Sequence, residues 1–300
     1  MKKYSTAILS ASAAIALAFA ASVTAAQAGT YATPVTSAVL AQGEGDVDES
    51  YDLHGADTDE IMETDDAVAP RDSTKKAAQA EMEKLTRGIR WFGQSAFLVQ
   101  NGKNIYLDPF ELPEGVPPAD IVLITHEHFD HLSPVDLAKI VKPSTAIVSI
   151  AGVADKLPKQ GTFKAVKPGD TLTVQGIKIE VVPAYNVSKQ SHPKEKGFVG
   201  FIVHTGGRSI YHAGDTDLIP EMNNIKADVA LLPIGGKFTM DASEAAKAAN
   251  LIKPKVAIPM HWGKVVGTKA DVETFKAQVK VPVMILKTET KQAGPAGKSQ

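Results

Sequence analysis

No cysteine occurs among the 300 residues. That absence removes thiolate metal sites, disulfides, a cysteine nucleophile and lipid attachment through an N-terminal cysteine. Any metal must be held by nitrogen and oxygen. Histidine is scarce as well, at 8 residues. Basic residues are missing altogether between Lys3 and Arg71, a stretch that holds eleven acids. Two lysines against those eleven acids give residues 1–70 a net −9, so residues 71–300 carry +7 of the total −2. A mildly basic body favours an anionic substrate, but its lysines and arginines are scattered, the pattern of a solvated surface. Several catalytic signatures are also missing. Gly93-Gln94-Ser95 lacks the second glycine of a nucleophile elbow, Gly235-Gly236-Lys237 lacks the spaced glycine of a phosphate-cradling loop, and no G-x-G-x-x-G opens a helix.

The N-terminus reads as an export signal over 1–28. Lys2 and Lys3 form a positive start, Ala7 to Val23 an apolar stretch, and Ala26-Gln27-Ala28 a cleavage site before Gly29. The alternative, an uncleaved anchor, is disfavoured because the stretch is short and alanine-rich with interrupting serines. No later segment is long and apolar enough for stable membrane insertion. These features predict a periplasmic or secreted protein. Residues 29–72 are small, polar and acidic without apolar periodicity, and are expected to form a disordered acidic linker. Residues 73–300 hold the expected folded domain.

Within it, the pattern predicts a helix over 74–86, an apolar run over 89–99 and a strand over 103–107 after the hairpin signal Asn101-Gly102. A strand over 121–125 and a helix over 134–141, opened by Ser133-Pro134, come next, then a strand over 145–150 and a short helix over 152–157. A second series follows: strands at 171–174, 177–183, 198–204, 208–212 and 228–232, helix 241–251, strand 255–260, helix 269–278 and a closing stretch at 281–286. Strand-rich halves each followed by helices indicate an α/β (α+β) fold of two sheets packed face to face with helices outside.

One heptapeptide dominates the chemistry. Thr125-His126-Glu127-His128-Phe129-Asp130-His131 follows the apolar strand Ile121–Ile124. His126 and His128, two apart at a strand end, point the same way because side chains alternate. Asp130 and His131 fall where the chain turns, so they can face a second point nearby. Imidazole and carboxylate suit zinc, manganese or iron, and two adjacent clusters suit a two-metal site. The competing reading is a polar loop that happens to hold three histidines. Further donors stand at other strand ends and loops. Asp215 follows Gly214 in Tyr211–Asp217 and can bridge two cations through its two oxygens; His261 follows Met260; His192 lies in the loop before the strand at 198–204.

These elements resemble the metallo-β-lactamase-fold hydrolase superfamily over roughly 88–287. The segments Trp91–Ser95, Leu107-Asp108-Pro109, Tyr211–Asp217 and Met260-His261-Trp262 look like the branch containing ascorbate-phosphate lactonases and N-acyl-ethanolamine phospholipases. The resemblance implies a four-layer αββα sandwich with the site at one edge. It implies that His126, His128 and His192 hold one metal, that Asp130, His131 and His261 hold a second, and that Asp215 bridges them. Two divalent ions are expected as cofactors, zinc foremost, with manganese or iron also fitting.

Many relatives carry histidine where this chain has Gln94, which makes Gln94 a candidate substrate contact of altered chemistry. His212 is a candidate for touching substrate or orienting a ligand, Asp108 for fixing a histidine tautomer. Lys196, Lys237, Tyr185 and Trp262 are candidates for lining a pocket, against a plain surface or core role. His54 and His204 are read as non-ligating.

The expected activity is dinuclear metal-dependent hydrolysis of a small ester, lactone or phosphodiester through a metal-bridging hydroxide. Asp130 would act catalytically, orienting the nucleophile and passing a proton to the leaving group. A β-lactam hydrolase, or a non-catalytic metal- or partner-binding protein on a hydrolase scaffold, are the alternatives. Nuclease relatives carry a large insertion between the bridging aspartate and the last histidine. The interval from Asp215 to His261 has no room for one, and no nucleic-acid partner is expected.

Overall fold

The computed structural model describes residues 72–289. The expected export signal and the acidic linker up to residue 71 lie outside the described residues, as does the tail from 290. The first element is helix α1, Asp72–Thr86, an exposed helix that tucks Leu85 into the core.

The apolar run expected over 89–99 is two strands, β1 (Ile89–Gly93) and β2 (Ala96–Gln100), paired antiparallel. Gly93 and Gln94 both adopt positive φ, at 104° and 45°. The Trp91 indole donates to the Gln94 carbonyl at 3.0 Å and closes the turn. The turn is hidden in the sequence because its flanks are all buried and apolar, so periodicity shows no break. Strand β3 (Asn104–Leu107) pairs with β2 across Asn101-Gly102, as the hairpin signal requires.

Three parallel strands extend this sheet: β4 (Ile121–Ile124), β5 (Ala146–Ile150) and β6 (Thr162–Val166). β6 is mostly solvent-exposed at the sheet edge and has no apolar signature, which is why the sequence pattern passes over it. Between β4 and β5 runs helix α2 (Pro134–Ile140), with Ser133 accepting from the Asp136 amide as its cap.

The second sheet contains β7 (Thr171–Val174), β8 (Ile177–Pro183), β9 (Val199–Thr205), β10 (Arg208–His212), β11 (Val229–Pro233) and β12 (Val256–Met260), in the order β12-β11-β10-β9-β8-β7. Helices α3 (Ala242–Ile252) and α4 (Lys269–Gln278) pack together, and both open on reciprocal capping boxes, Asp241 with Glu244 and Thr268 with Asp271. The stretch 281–286 makes only an isolated bridge, Val283 to Ala257. Pro282 inside it has no N–H for a ladder.

Both sheets repeat one plan, antiparallel strands followed by parallel ones. Parallel strands inside a covered sheet are buried on both faces, and β4, β5, β11 and β12 are fully buried Val/Ile/Leu/Ala-rich runs, β6 at the edge being the exception. Side chains from both sheets merge into one apolar core, the αββα arrangement. The carboxyl ends of β4, β10 and β12 converge at one edge. Two contacts bring them close. The Val199 amide donates to the Thr125 carbonyl at 3.3 Å, and a side chain on Gly200 would sit 2.7 Å from the His212 carbonyl oxygen.

Candidate metal centre

The carboxyl end of β4 delivers the heptapeptide to that edge. His126 Nε2 lies 3.0 Å from His128 Nδ1, which lies 3.1 Å from His192 Nε2. His192 arrives from the loop between β8 and β9, 64 residues from His128 in sequence. Three imidazole nitrogens facing one point form the first cluster. The second is Asp130, His131 and His261, with His261 just past the end of β12. His261 Nε2 is 3.5 Å from the Asp130 carboxylate.

Asp215, carried just beyond β10, reaches both clusters. Its Oδ1 is 3.2 Å from His131 Nε2, and its Oδ2 is 3.3 Å from His192 Nε2 and 3.2 Å from His261 Nε2. Gly214 before it has φ 64°, and a side chain there would meet the Val199 carbonyl at 2.9 Å. Only glycine lets the chain pass this close to β9.

Partners behind the donors set their tautomers. The Thr125 hydroxyl donates its one proton to Asp108 Oδ2 at 2.7 Å, so toward His126 Nδ1, 2.9 Å away, it can only accept. His126 Nε2 is thereby left with its lone pair aimed at the first cluster. Asp108 also lies 2.7 Å from His131 Nδ1, turning Nε2 toward Asp215. His192 Nδ1 faces Asn186 Oδ1 at 3.0 Å and the Phe238 carbonyl at 3.2 Å. Asn186 is itself anchored on Asp217, which pairs with Lys189 at 2.5 Å. This is the supporting shell a ligating histidine requires.

Electrostatics reflect five imidazoles and two carboxylates brought together, most of them out of water. Burial opposes the charge on His131, but Asp215 and Asp108 outweigh it and raise its pKa well above 6.5. Burial likewise opposes His261, and Asp215 and Asp130 carry it up to about 9. Asp130 is brought down to about 2: burial works against its charge, and the His261 bond and the His131 charge prevail. Asp215 lies well below the carboxylate range, with His131 and His261 overcoming its burial. His126 is pushed well below 6.5 by burial and by His131.

Divalent cations fit this donor set. His131 Nε2 and Asp215 Oδ1 are buried with no hydrogen-bond partner, a costly state that a cation between them relieves. The donors are nitrogen and oxygen throughout, as zinc, manganese or iron accept.

The remaining candidates divide. Gln94 donates to Asp130 Oδ2 at 3.1 Å and stands 3.4 Å from His261 Nε2, inside the second cluster. His212 has both ring nitrogens engaged, one with the Ser95 carbonyl at 2.9 Å and the other with the Gly214 amide at 3.2 Å, so it braces the Asp215 turn. Trp262 packs on Trp91 with ring centroids 5.3 Å apart. Lys237 is exposed, Tyr185 bonds Glu221, and Lys196 opens onto a different cleft with Glu127 and Lys167. None of these last four lines the cavity over the two clusters. His204 pairs with Glu180 at 2.6 Å, away from the site, and His54 lies outside the described residues.

Sequence reasoning did not single out Thr125, Asn186 or Asp217. Thr125 and Asp217 flank predicted donors and were findable by that adjacency. Asn186 carries no local signal. Nor was a role read for Phe129, which stands 67% exposed at the rim of a cavity of about 300 Å³ whose floor holds His128, Asp130, His192 and Asp215.

Residues 88–261 match the family model described as a beta-lactamase superfamily domain. A metal-dependent hydrolase of the uncharacterised protein family 0173 from Pyrococcus abyssi is 38% identical over 220 residues, covering 66% of this chain and 96% of its own. A solved structure from Parabacteroides distasonis is 35% identical with a TM-score of 0.60, covering 67% of this chain and 93% of its own. A metallo hydrolase from Ignicoccus hospitalis is 27% identical with a TM-score of 0.55, covering 66% and 94%.

Proposed function

The chain belongs to the metal-dependent hydrolases of the metallo-β-lactamase superfamily, and we propose that it is an exported dinuclear enzyme acting on a small ester, lactone or phosphodiester. The observation that carries the two-metal reading is the reach of Asp215, whose carboxylate lies within 3.3 Å of His192 in the first cluster and within 3.2 Å of His131 and His261 in the second. His126, His128 and His192 would hold one cation, Asp130, His131 and His261 the other, and Asp215 both. Zinc fits these ligands, as do manganese and iron.

When bound, such a pair supplies Lewis acidity and a water of lowered pKa. The protein's own part is positioning and proton handling. Thr125, Asp108 and Asn186 fix which nitrogen of His126, His131 and His192 faces the other donors. Asp130, with its pKa near 2, is ionised at neutral pH and can accept the proton of an attacking water. Gln94 donates to one Asp130 oxygen, Oδ2, and leaves the other free to orient that water. The proton then passes from Asp130 to the leaving group.

Export rests on Lys2, Lys3, the apolar stretch and Ala26-Gln27-Ala28. N-terminal sequencing of the protein recovered from cell fractions tests it; a mature chain starting at Gly29 outside the cytoplasm is the expected result. The activity is tested by a hydrolysis screen over lactones, aryl esters, bis-aryl phosphates and β-lactams, before and after chelation. Turnover of one class that disappears on chelation and returns with added cation is expected. Turnover that survives complete metal removal contradicts the assignment.

A further inference from the structure

The walls of the cavity differ in kind from its floor. The floor carries the donors His128, Asp130, His192 and Asp215, while the walls are Phe129, Phe238 and Val265 with Ser191 beside them. Among the described residues no lysine or arginine lines it. Two lysines on the flanking segments are ion-paired, Lys189 with Asp217 and Lys264 with Glu111, while Lys237 is exposed with its ammonium 5.1 Å from the Phe238 ring centroid. An anionic group on the part of a substrate that contacts these walls would meet apolar side chains and no lining cation, where recognition of carboxylate or phosphate ordinarily uses one.

Phe129 is the unusual wall. It sits between two floor residues, His128 and Asp130, so its backbone is fixed by them. Its ring nevertheless stands 67% exposed, steadied by an edge contact with Phe110 at 5.9 Å between centroids. Val265, across the rim, is 42% exposed. A single exposed apolar side chain needs no explanation, but two at the mouth of one cavity form a surface that an apolar group would cover. The volume, about 300 Å³, is at the small end of ligand pockets, which run from about 300 to 1,000 Å³.

We propose that this cavity selects substrates whose non-reacting portion is short, uncharged and apolar, and that Phe129 is the specificity-determining side chain that packs against it. The inference rests on the metal-centre reading and narrows it to substrates, such as alkyl or aryl esters and lactones, whose pendant group is uncharged, away from those that carry an anionic substituent. The reacting group is common to charged and neutral substrates; the walls read what hangs from it.

The test is equilibrium binding by calorimetry to zinc-loaded protein. Three probes share one metal-seeking head: acetohydroxamate, hexanohydroxamate and the monohydroxamate of adipic acid, which has the same six-carbon chain ending in a carboxylate. Each methylene buried against the walls is expected to tighten binding about fourfold. Hexanohydroxamate should therefore bind at least about tenfold more tightly than either other probe. Phe129→Ala, at an exposed position, should cut that preference severalfold with zinc content unchanged, and Val265→Ala should cut it less. Phe129→Lys should shift preference toward the carboxylate probe. Equal or tighter binding of the carboxylate probe by the unaltered protein, or a Phe129→Ala variant with the same preference, overturns the proposal and leaves the metal centre standing. Failure of zinc-loaded protein to bind even acetohydroxamate counts against the metal-centre reading and takes the proposal with it.

Discussion

Asp108 Oδ2 lies 2.7 Å from His131 Nδ1, and both side chains are fully buried. The same carboxylate takes the Thr125 amide and hydroxyl, each at 2.7 Å, so one acid sets the orientation of the whole strand end from which the donors project. Asp108 holds φ 44°, a conformation uncommon for a residue with a side chain, and its three partners keep it there.

Replacing Asp108 by Ala should therefore weaken the second metal position without touching a ligand. Loss of such a supporting partner ordinarily costs 10- to 100-fold in metal affinity, and about that loss is expected here. Competition with a chromogenic chelator measures it. An Asp108→Ala protein with native affinity for both cations would show the bond to be structural only.

Metal uptake should release protons and strengthen with pH. With no cation, Asp215 holds His131 protonated well above 6.5, and Asp215 and Asp130 hold His261 protonated up to about 9. A cation must displace those protons to bind. Apparent affinity should rise steadily between pH 6.5 and 9. Calorimetry in buffers of different ionisation enthalpy should detect net proton release at pH 7.5, and pH-independent uptake would contradict this.

Without cations, stability should move in the opposite sense. A group whose pKa is raised on folding stabilises below its unfolded value, and that contribution fades as pH rises through the folded value. For His261 the window runs from 6.5 to about 9. Asp130, lowered to about 2, contributes above its usual value near 4 and loses the contribution as acid approaches 2. From these two groups the chelated protein should thus melt highest between about pH 4 and 6.5 and lower by pH 9.5. The loaded protein should not share the alkaline decline, and parallel melting profiles would argue against imidazolium–carboxylate pairing at the site.

Gly200→Ala tests the close approach of β9 to the Asp215 turn. The added methyl would lie 2.7 Å from the His212 carbonyl oxygen and 2.9 Å from that of Ala213, both backbone atoms. Overpacking of this kind costs roughly 1–3 kcal/mol, with an accompanying fall in metal affinity as the turn shifts. Denaturant unfolding of the chelated variant reads the first effect alone, and unchanged stability would mean that the strands part easily.

The fold was legible where one residue pattern had one reading. Asn101-Gly102 could only be a hairpin between its flanks, and Ser133-Pro134 marked the start of α2. The turn at Gln94 was invisible because burial makes both of its flanks apolar, and β6 because it has little buried surface to betray it. The heptapeptide stood out by its density of imidazole and carboxylate, yet His126 and His128 lie past the end of β4, so the loop and not strand alternation brings them side by side. His192 was the harder case: its place beside His128 depends on Asn186 and Phe238, contacts that no local pattern encodes. The pocket walls were less legible still, since Phe129 and Val265 read in sequence as ordinary apolar residues.

Metal content of single-ligand variants tests the two-cation centre most directly. Plasma mass spectrometry should find about two divalent ions per chain in the unaltered protein, about one in His128→Ala, about one in His261→Ala and fewer than one in Asp215→Ala. One ion per chain in the unaltered protein, or an Asp215→Ala protein that still carries two, would contradict the account.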